Sequence, residues 1–440
     1  MAGGVSRRGF LARGAVGAAT TAVMSAGVLA MGGTGAAAGA RAGGQRVRTG
    51  ADRLAADGWG TLAGRKVGLI TNPTGILADL THEVDSMLAS GAVNLRGIFG
   101  PEHGFRGTGQ AGSAEDESID PRTGVTVYNA YGATVDQLAE QYRRAGIDTV
   151  VFDIQDVGAR FYSYIWTMYL GMRAAVATGA VFVVLDRPNP VGGEAFGPQL
   201  MPGFESGVGR KPITLQHGMT VGELAMLFDA EFLPKEPGGG RLTSLEVVRI
   251  RGWQRKSLWS STGLPWVPPS PNMPTPSTAL VYPGTCLVEG LTWSEGRGTT
   301  RPFEILGAPL PTTAGEAGLD WRWAEELNAA GLPGVEFREA YFQPTFNKHA
   351  NRPCGGVQLY VTDECTYEPI RTAVEMIVQA RRVYPDAFAW RPDLWIDKLT
   401  GSARLREMVE RGASGAEVVA AWSDELSAFR ALRKPYLIYS

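Results

Sequence analysis

Between residues 66 and 186 short apolar runs alternate with amphipathic stretches. Lys66–Thr71, Leu95–Phe99, Val125–Tyr128, Thr149–Ile154 and Val181–Asp186 are rich in β-branched and aromatic residues and predict strands. Thr134–Ala145 and Ala159–Thr178 carry apolar residues at three- and four-residue spacing and predict helices. Strands recurring every 24 to 32 residues with helices between them imply βα units and a parallel sheet. Val150-Val151-Phe152 and Val181–Leu185 have no polar member, as expected of strands buried on both faces. Ser244–Ile250 predicts one more strand, and the Pro-rich Gly263–Pro283 reads as a connection to a second α/β unit. That unit contains a strand at Gly355–Val361 and a helix at Tyr367–Tyr384.

Each strand of the first unit is followed by polar residues at the same end. They are Asn72; Glu102 and His103; Asn129; Asp153, Gln155 and Asp156; and Asp186, Arg187 and Asn189. Ligands of open parallel sheets bind outside the strands' carboxyl ends, so these five loops outline a crevice. Asn129 and Asp186 read better as turn formers or helix caps. Glu102 is the sharpest candidate, because Gly100-Pro101-Glu102-His103-Gly104 is a rigid turn and a carboxyl presented from it is a candidate general acid. In a purely structural role it would accept backbone N–H bonds within the turn. Asp156–Arg160 is expected to open a helix whose Phe161, Tyr164, Ile165, Met168 and Met172 form a core stripe, with Arg160 and Tyr162 in its first turn near the crevice.

Composition narrows the classes. With 44% hydrophobic and 20% charged residues the chain is globular, and 440 residues exceed one ordinary core. Residues 1–40 contain Ser6-Arg7-Arg8-Gly9-Phe10-Leu11, an acid-free run of small and apolar residues, and Ala38-Gly39-Ala40, which together predict a cleaved twin-arginine signal. Export to an extracellular, periplasmic or cell-wall location without a stable membrane anchor follows. Cleavage leaves 39 basic against 44 acidic residues, a net charge of −5, which argues against a nucleic-acid partner. Cysteines are three: Cys286, Cys354 and Cys365. A straight strand between the last two would hold them roughly 36 Å apart, far beyond the roughly 7 Å Cα limit of a disulfide. Three reduced thiols are expected; any bridge would have to involve Cys286.

Motifs of other chemistries fail. Gly107–Gly112 matches G-x-G-x-x-G, but the acidic, loop-like Ser113–Pro121 stands where a dinucleotide site needs a helix. G-x-S-x-G, the P-loop and H-E-x-x-H are absent. His82, His103, His217 and His349 are scattered and the cysteine spacings fit no zinc pattern, so neither metal nor cofactor is expected. In the second unit Pro269–Pro274 holds Asn272 in a constrained turn. Ser294–Glu304 sets Glu295 and Arg297 among glycines, either as a ligand-approaching loop or as an exposed charged one.

Gly68–Gly75, Gly100–Gly107, Asp153–Arg160, Asp186–Pro190, Pro269–Pro274 and Ser294–Phe303, in this order, resemble the exo-β-N-acetylmuramidase family across nearly all of residues 50 to 440. The resemblance implies a Rossmann-like catalytic domain over 50–265 and a smaller C-terminal α/β auxiliary domain over 266–440 closing a cleft. It also implies release of N-acetylmuramic acid from the non-reducing end of peptidoglycan-derived saccharides, with Glu102 catalytic. His103, Asp153 and Asp156 join it as catalytic candidates. Asn72, Gln155, Arg160, Tyr162, Arg187, Asn189, His217, Asn272, Glu295 and Arg297 are the substrate-binding candidates. The second carboxylate is Asp153 or Asp156, unless the substrate's own N-acetyl group attacks. The lactyl carboxylate of muramic acid calls for a planar donor, from Arg160, Arg187 or Arg297. A non-catalytic cell-wall-sugar binding protein is the rival reading. An amidase or esterase is disfavoured by the missing nucleophile motif and zinc constellation.

Overall fold

The computed structural model describes residues 46–113, 115–311 and 319–440; the export segment lies outside them. Its N-terminal half is built on β1 (Lys66–Thr71), β2 (Asn94–Gly100), β3 (Ser118–Ile119), β4 (Thr126–Asn129), β5 (Thr149–Asp153), β6 (Val181–Leu185), β7 (Phe196–Gln199), β8 (Thr214–Gln216) and β9 (Leu245–Val248). One sheet runs β3-β4-β2-β1-β5-β6-β9, parallel throughout except for the short edge strand β3. From β1 the chain first builds outward through β2 and β4, then returns to β5 and builds the other way. This is the doubly wound order of a Rossmann-like sheet, and its direction reverses between β1 and β5.

The two faces follow from strand alternation. Ile70, Val150, Phe152, Phe182 and Val184 pack into the larger core, whereas Val67, Leu69, Val151, Val183 and Leu185 pack into a second core with Leu54, Trp59 and Leu62. Helix Val135–Ala145 shows why local sequence stops and starts it. Thr134 and Gln137 form a capping box, and Gly146 ends it at φ +65°.

β10 (Ile305–Pro309), β11 (Val335–Phe342) and β12 (Cys354–Val361) form the second sheet, antiparallel in the order β10-β12-β11, with helix Pro369–Val383 in the same half. Its core is continuous with the first, and Gln45–Ser440 is one compact unit. The C-terminus returns to the first sheet. Arg433 Nη1 donates to the carbonyls of Gly193, His217 and Gly218, and the Tyr439 hydroxyl donates to buried Asp186. All three cysteines are free, and Cys354 lies within β12 as the strand reading requires.

One helix begins later than its pattern suggests. The helix expected from Ala159 starts at Tyr164, because Ala159 instead bridges to Gln216 and the backbone N–H of Arg160 bonds to Leu215. Gly158 turns the chain there at φ +80°, where a Cβ would lie 2.5 Å from Asn189 Oδ1.

Candidate active site

Glu102 follows β2 in a tight turn. The Gly104 N–H bonds to the Pro101 carbonyl at 2.9 Å, and His103 and Gly104 take φ +72° and +81°. A left-handed histidine is uncommon; here Nδ1 lies 2.9 Å from the Gly109 carbonyl and the backbone N–H donates to Ser113 O at 3.0 Å. The Gly107–Gly112 loop therefore folds back over the turn, and Gly112 N–H donates to Glu102 Oε1 at 2.8 Å. The other carboxyl oxygen, Oε2, accepts from the Ser163 hydroxyl. Glu102 is thus oriented by two donors from different loops.

Its carboxyl lines a cavity of about 490 Å³ between the carboxyl end of the first sheet and the second half of the chain. Tyr131, Phe161, Tyr162, Tyr164, Trp166 and Arg210 contribute from the first half; Tyr282, Cys286, Glu289, Arg297 and Trp395 come from the second. Burial, and then the Glu102 carboxylate nearby, raise the Tyr131 phenol above its ordinary value. The size and the mixture of aromatic walls with charged and hydroxyl-bearing side chains suit a small polar ligand. A larger groove of about 990 Å³, lined by Arg255, Glu364 and Tyr367, lacks Glu102 and every sheet-end candidate named from the sequence.

Of the expected site residues, Glu102, His103, Tyr162 and Arg297 meet in this cavity. Arg297 is not a free cation: it pairs with Glu289 at 2.7 Å and Glu295 at 3.2 Å and stacks over Phe303, 5.0 Å to the ring centre. Burial opposes that charge, yet the two carboxylates hold the guanidinium above its ordinary range. Glu295 is bound in turn by Lys348 at 3.0 Å, so it supports Arg297 from behind.

Asp153, Arg160 and Arg187, expected at the site, are engaged elsewhere in this structure. Asp153 and Arg187 form a buried two-pronged ion pair beside Glu83, and neither lines the Glu102 cavity. Burial first, then the Asp153 charge, push the Glu83 acid well up. Arg160 lies outside the helix and is fully buried, with its guanidinium spent on the carbonyls of Pro198, Ile213 and Leu399. Burial brings its pKa down to about 9.

Asp156, His217, Asn189, Gln155 and Asn72 shape the sheet edge without lining the cavity. Met219 N–H donates to His217 Nδ1, which leaves Nε2 to donate to Asp156 Oδ2 at 3.1 Å. Asn189 bonds Met219 O and Val191 N–H, Gln155 bonds Asp156 O and Pro188 O, and Asn72 accepts from Thr74. Asn272 is buried in the Pro-rich turn.

Sequence reasoning missed Ser163, Tyr131, Arg210, Tyr282 and Glu289. Ser163 was hidden inside the helix assigned from Ala159, although a serine before an apolar run is a helix-start signal. Arg210 sits on an aperiodic loop that carries no local cue. Among the described residues no group of three His, Cys, Asp or Glu side chains is placed to hold a metal ion, and no helix is long and apolar enough to cross a membrane.

Residues 67–277 match the family model described as exo-β-N-acetylmuramidase NamZ, N-terminal, and residues 280–439 match its C-terminal counterpart. The chain is 45% identical over 395 residues to the peptidoglycan β-N-acetylmuramidase NamZ of Bacillus subtilis (strain 168), covering 90% of this chain and 92% of that one. Two solved structures of DUF1343 family proteins from Bacteroides fragilis NCTC 9343 superpose with TM-scores of 0.79 and 0.70. They are 32% and 30% identical, and each match covers 90% of this chain and 99% of theirs.

Proposed function

The chain belongs to the exo-β-N-acetylmuramidase NamZ family, and on that footing we infer that it is a glycoside hydrolase releasing N-acetylmuramic acid from the non-reducing end of peptidoglycan fragments. The observation that carries the chemistry is the Glu102 carboxyl, held by Gly112 and Ser163 in the wall of a cavity lined by aromatics. In this reading Glu102 protonates the leaving glycosidic oxygen. Asp153 and Asp156 do not line the cavity, and Glu289 is occupied by Arg297. The substrate's own N-acetyl oxygen is therefore assigned the attack at the anomeric carbon, which needs no enzymic nucleophile. The rival reading, a sugar-binding protein without catalysis, is not favoured by any feature of the site.

Digestion of glycan strands followed by mass spectrometry tests the reading. Free N-acetylmuramic acid should accumulate before any internal fragment, and early mid-length oligosaccharides would overturn it. Export by the twin-arginine route is part of the proposal; its support is Ser6–Leu11 and Ala38-Gly39-Ala40. Replacing both Arg7 and Arg8 by Lys should retain the protein in the cytoplasm, and unchanged export would refute that route.

A further inference from the structure

The three arginines that the sequence offers for an acidic substrate group are all engaged: Arg160 by three carbonyls, Arg187 by Asp153, Arg297 by Glu289 and Glu295. Arg210 is different. It is half-buried in the wall of the Glu102 cavity, and among the described residues no carboxylate lies within 4 Å of it. The nearby acid, Glu236, is already claimed by Lys211, by Arg173 at 3.2 Å and by the Tyr169 hydroxyl at 2.6 Å. Arg210 Nε is buried without any hydrogen-bond partner. A guanidinium kept partly dehydrated and unpaired is unfavourable unless something supplies its counter-charge. Burial, with Arg173 adding to it, pulls its pKa below the ordinary value, against the smaller opposing pull of Tyr169 and Glu236. Gly207 and Val208 line the cavity beside it.

We propose that Arg210 is the specificity-determining residue that binds the lactyl carboxylate of the muramic acid ring held against Glu102. The assignment rests on the muramidase reading and deepens it. Because Arg297 enters the cavity already neutralised, Arg210 is the group there that distinguishes an acidic sugar from a neutral one. A planar fork matches a carboxylate with two parallel bonds, which an ammonium in its place would not reproduce.

The test compares 4-nitrophenyl N-acetyl-β-muramide with its lactyl methyl ester, identical in size at the ring but uncharged. Wild-type kcat/KM should favour the free acid by at least about 10-fold, the range of a charge-assisted pair. Arg210→Gln should lose that factor on the acid, leave the ester nearly unchanged and bring the ratio close to one. Arg210→Lys should restore part of the preference through KM. A merely structural arginine would lower both substrates together. The proposal is overturned if Arg210→Gln keeps the wild-type ratio, or if the wild type does not distinguish acid from ester. A wild-type protein inert on both substrates and on glycan strands would instead remove the muramidase reading itself.

Discussion

Glu102→Gln separates the proposed chemistry from the architecture around it. The structure gives the folding cost. Glutamine can keep its carbonyl oxygen where Gly112 N–H donates at 2.8 Å, and turn its amide toward Ser163, whose hydroxyl rotates to accept. Both contacts survive in altered form, so the stability change should stay within about 1 kcal/mol. The amide is too weak an acid to protonate the leaving oxygen. Turnover should therefore fall by at least about 100-fold, which is about 2.7 kcal/mol in the barrier. The size of the loss should depend on the leaving group. A sugar alkoxide is a poor leaving group and needs the proton, whereas 4-nitrophenolate departs with little help. Glycan fragments and the 4-nitrophenyl muramide should be assayed side by side, with unfolding midpoints recorded for both proteins. The expected outcome is a much deeper loss on the glycan. Equal losses on both substrates with an intact fold would mean that Glu102 acts otherwise than as an acid, and near-wild-type turnover of the glycan would end its assignment altogether.

Three further outcomes are expected. Arg187→Met leaves Asp153 without its counter-charge in a site closed to water, which should cost about 3–5 kcal/mol in urea unfolding while KM of any folded fraction is unchanged. A stable variant with a raised KM would return Arg187 to the binding site. Asp186 is fully buried, and burial pushes its acid up to about 7 from 3.8 despite bonds from Tyr439, Gly222 and Thr220. A raised folded pKa contributes stability that is complete below about pH 4 and lost as pH climbs through 7. Relative to Asp186→Asn, the wild type should thus lose about 1.4 kcal/mol per pH unit between these limits, and a pH-independent difference would refute it. If the N-acetyl group is the nucleophile, exchanging it for trifluoroacetyl should slow hydrolysis by at least about 10-fold, and an unchanged rate would require an enzymic carboxylate.

Much of the first sheet was legible because its information is local. Parallel strands buried on both faces appear as unbroken apolar runs, and the ends of β1, β2, β5 and β6 fell within a residue or two of the sequence reading. The turn holding Glu102 was equally plain, since Gly100, Pro101 and Gly104 leave the backbone few choices. The start of the helix at Tyr164 was not legible, because apolar periodicity continued back through Phe161 while a tertiary bond from Arg160 N–H to Leu215 straightened the chain. Charge pairing was the least legible of all. Whether an arginine is spent on carbonyls, as Arg160 is, or matched by an acid, as Arg187 is, depends on groups dozens or hundreds of residues away. Sequence alone determined the main parallel strands, the crevice at the sheet's carboxyl edge and the candidate acid, because hydrophobic period and turn chemistry act over a few residues. The tertiary structure decided which of the polar groups reach the cavity and which neutralise one another beneath it. Burial penalises a dehydrated charge that lacks a partner, and the distance to a partner in space is not written in its distance along the chain.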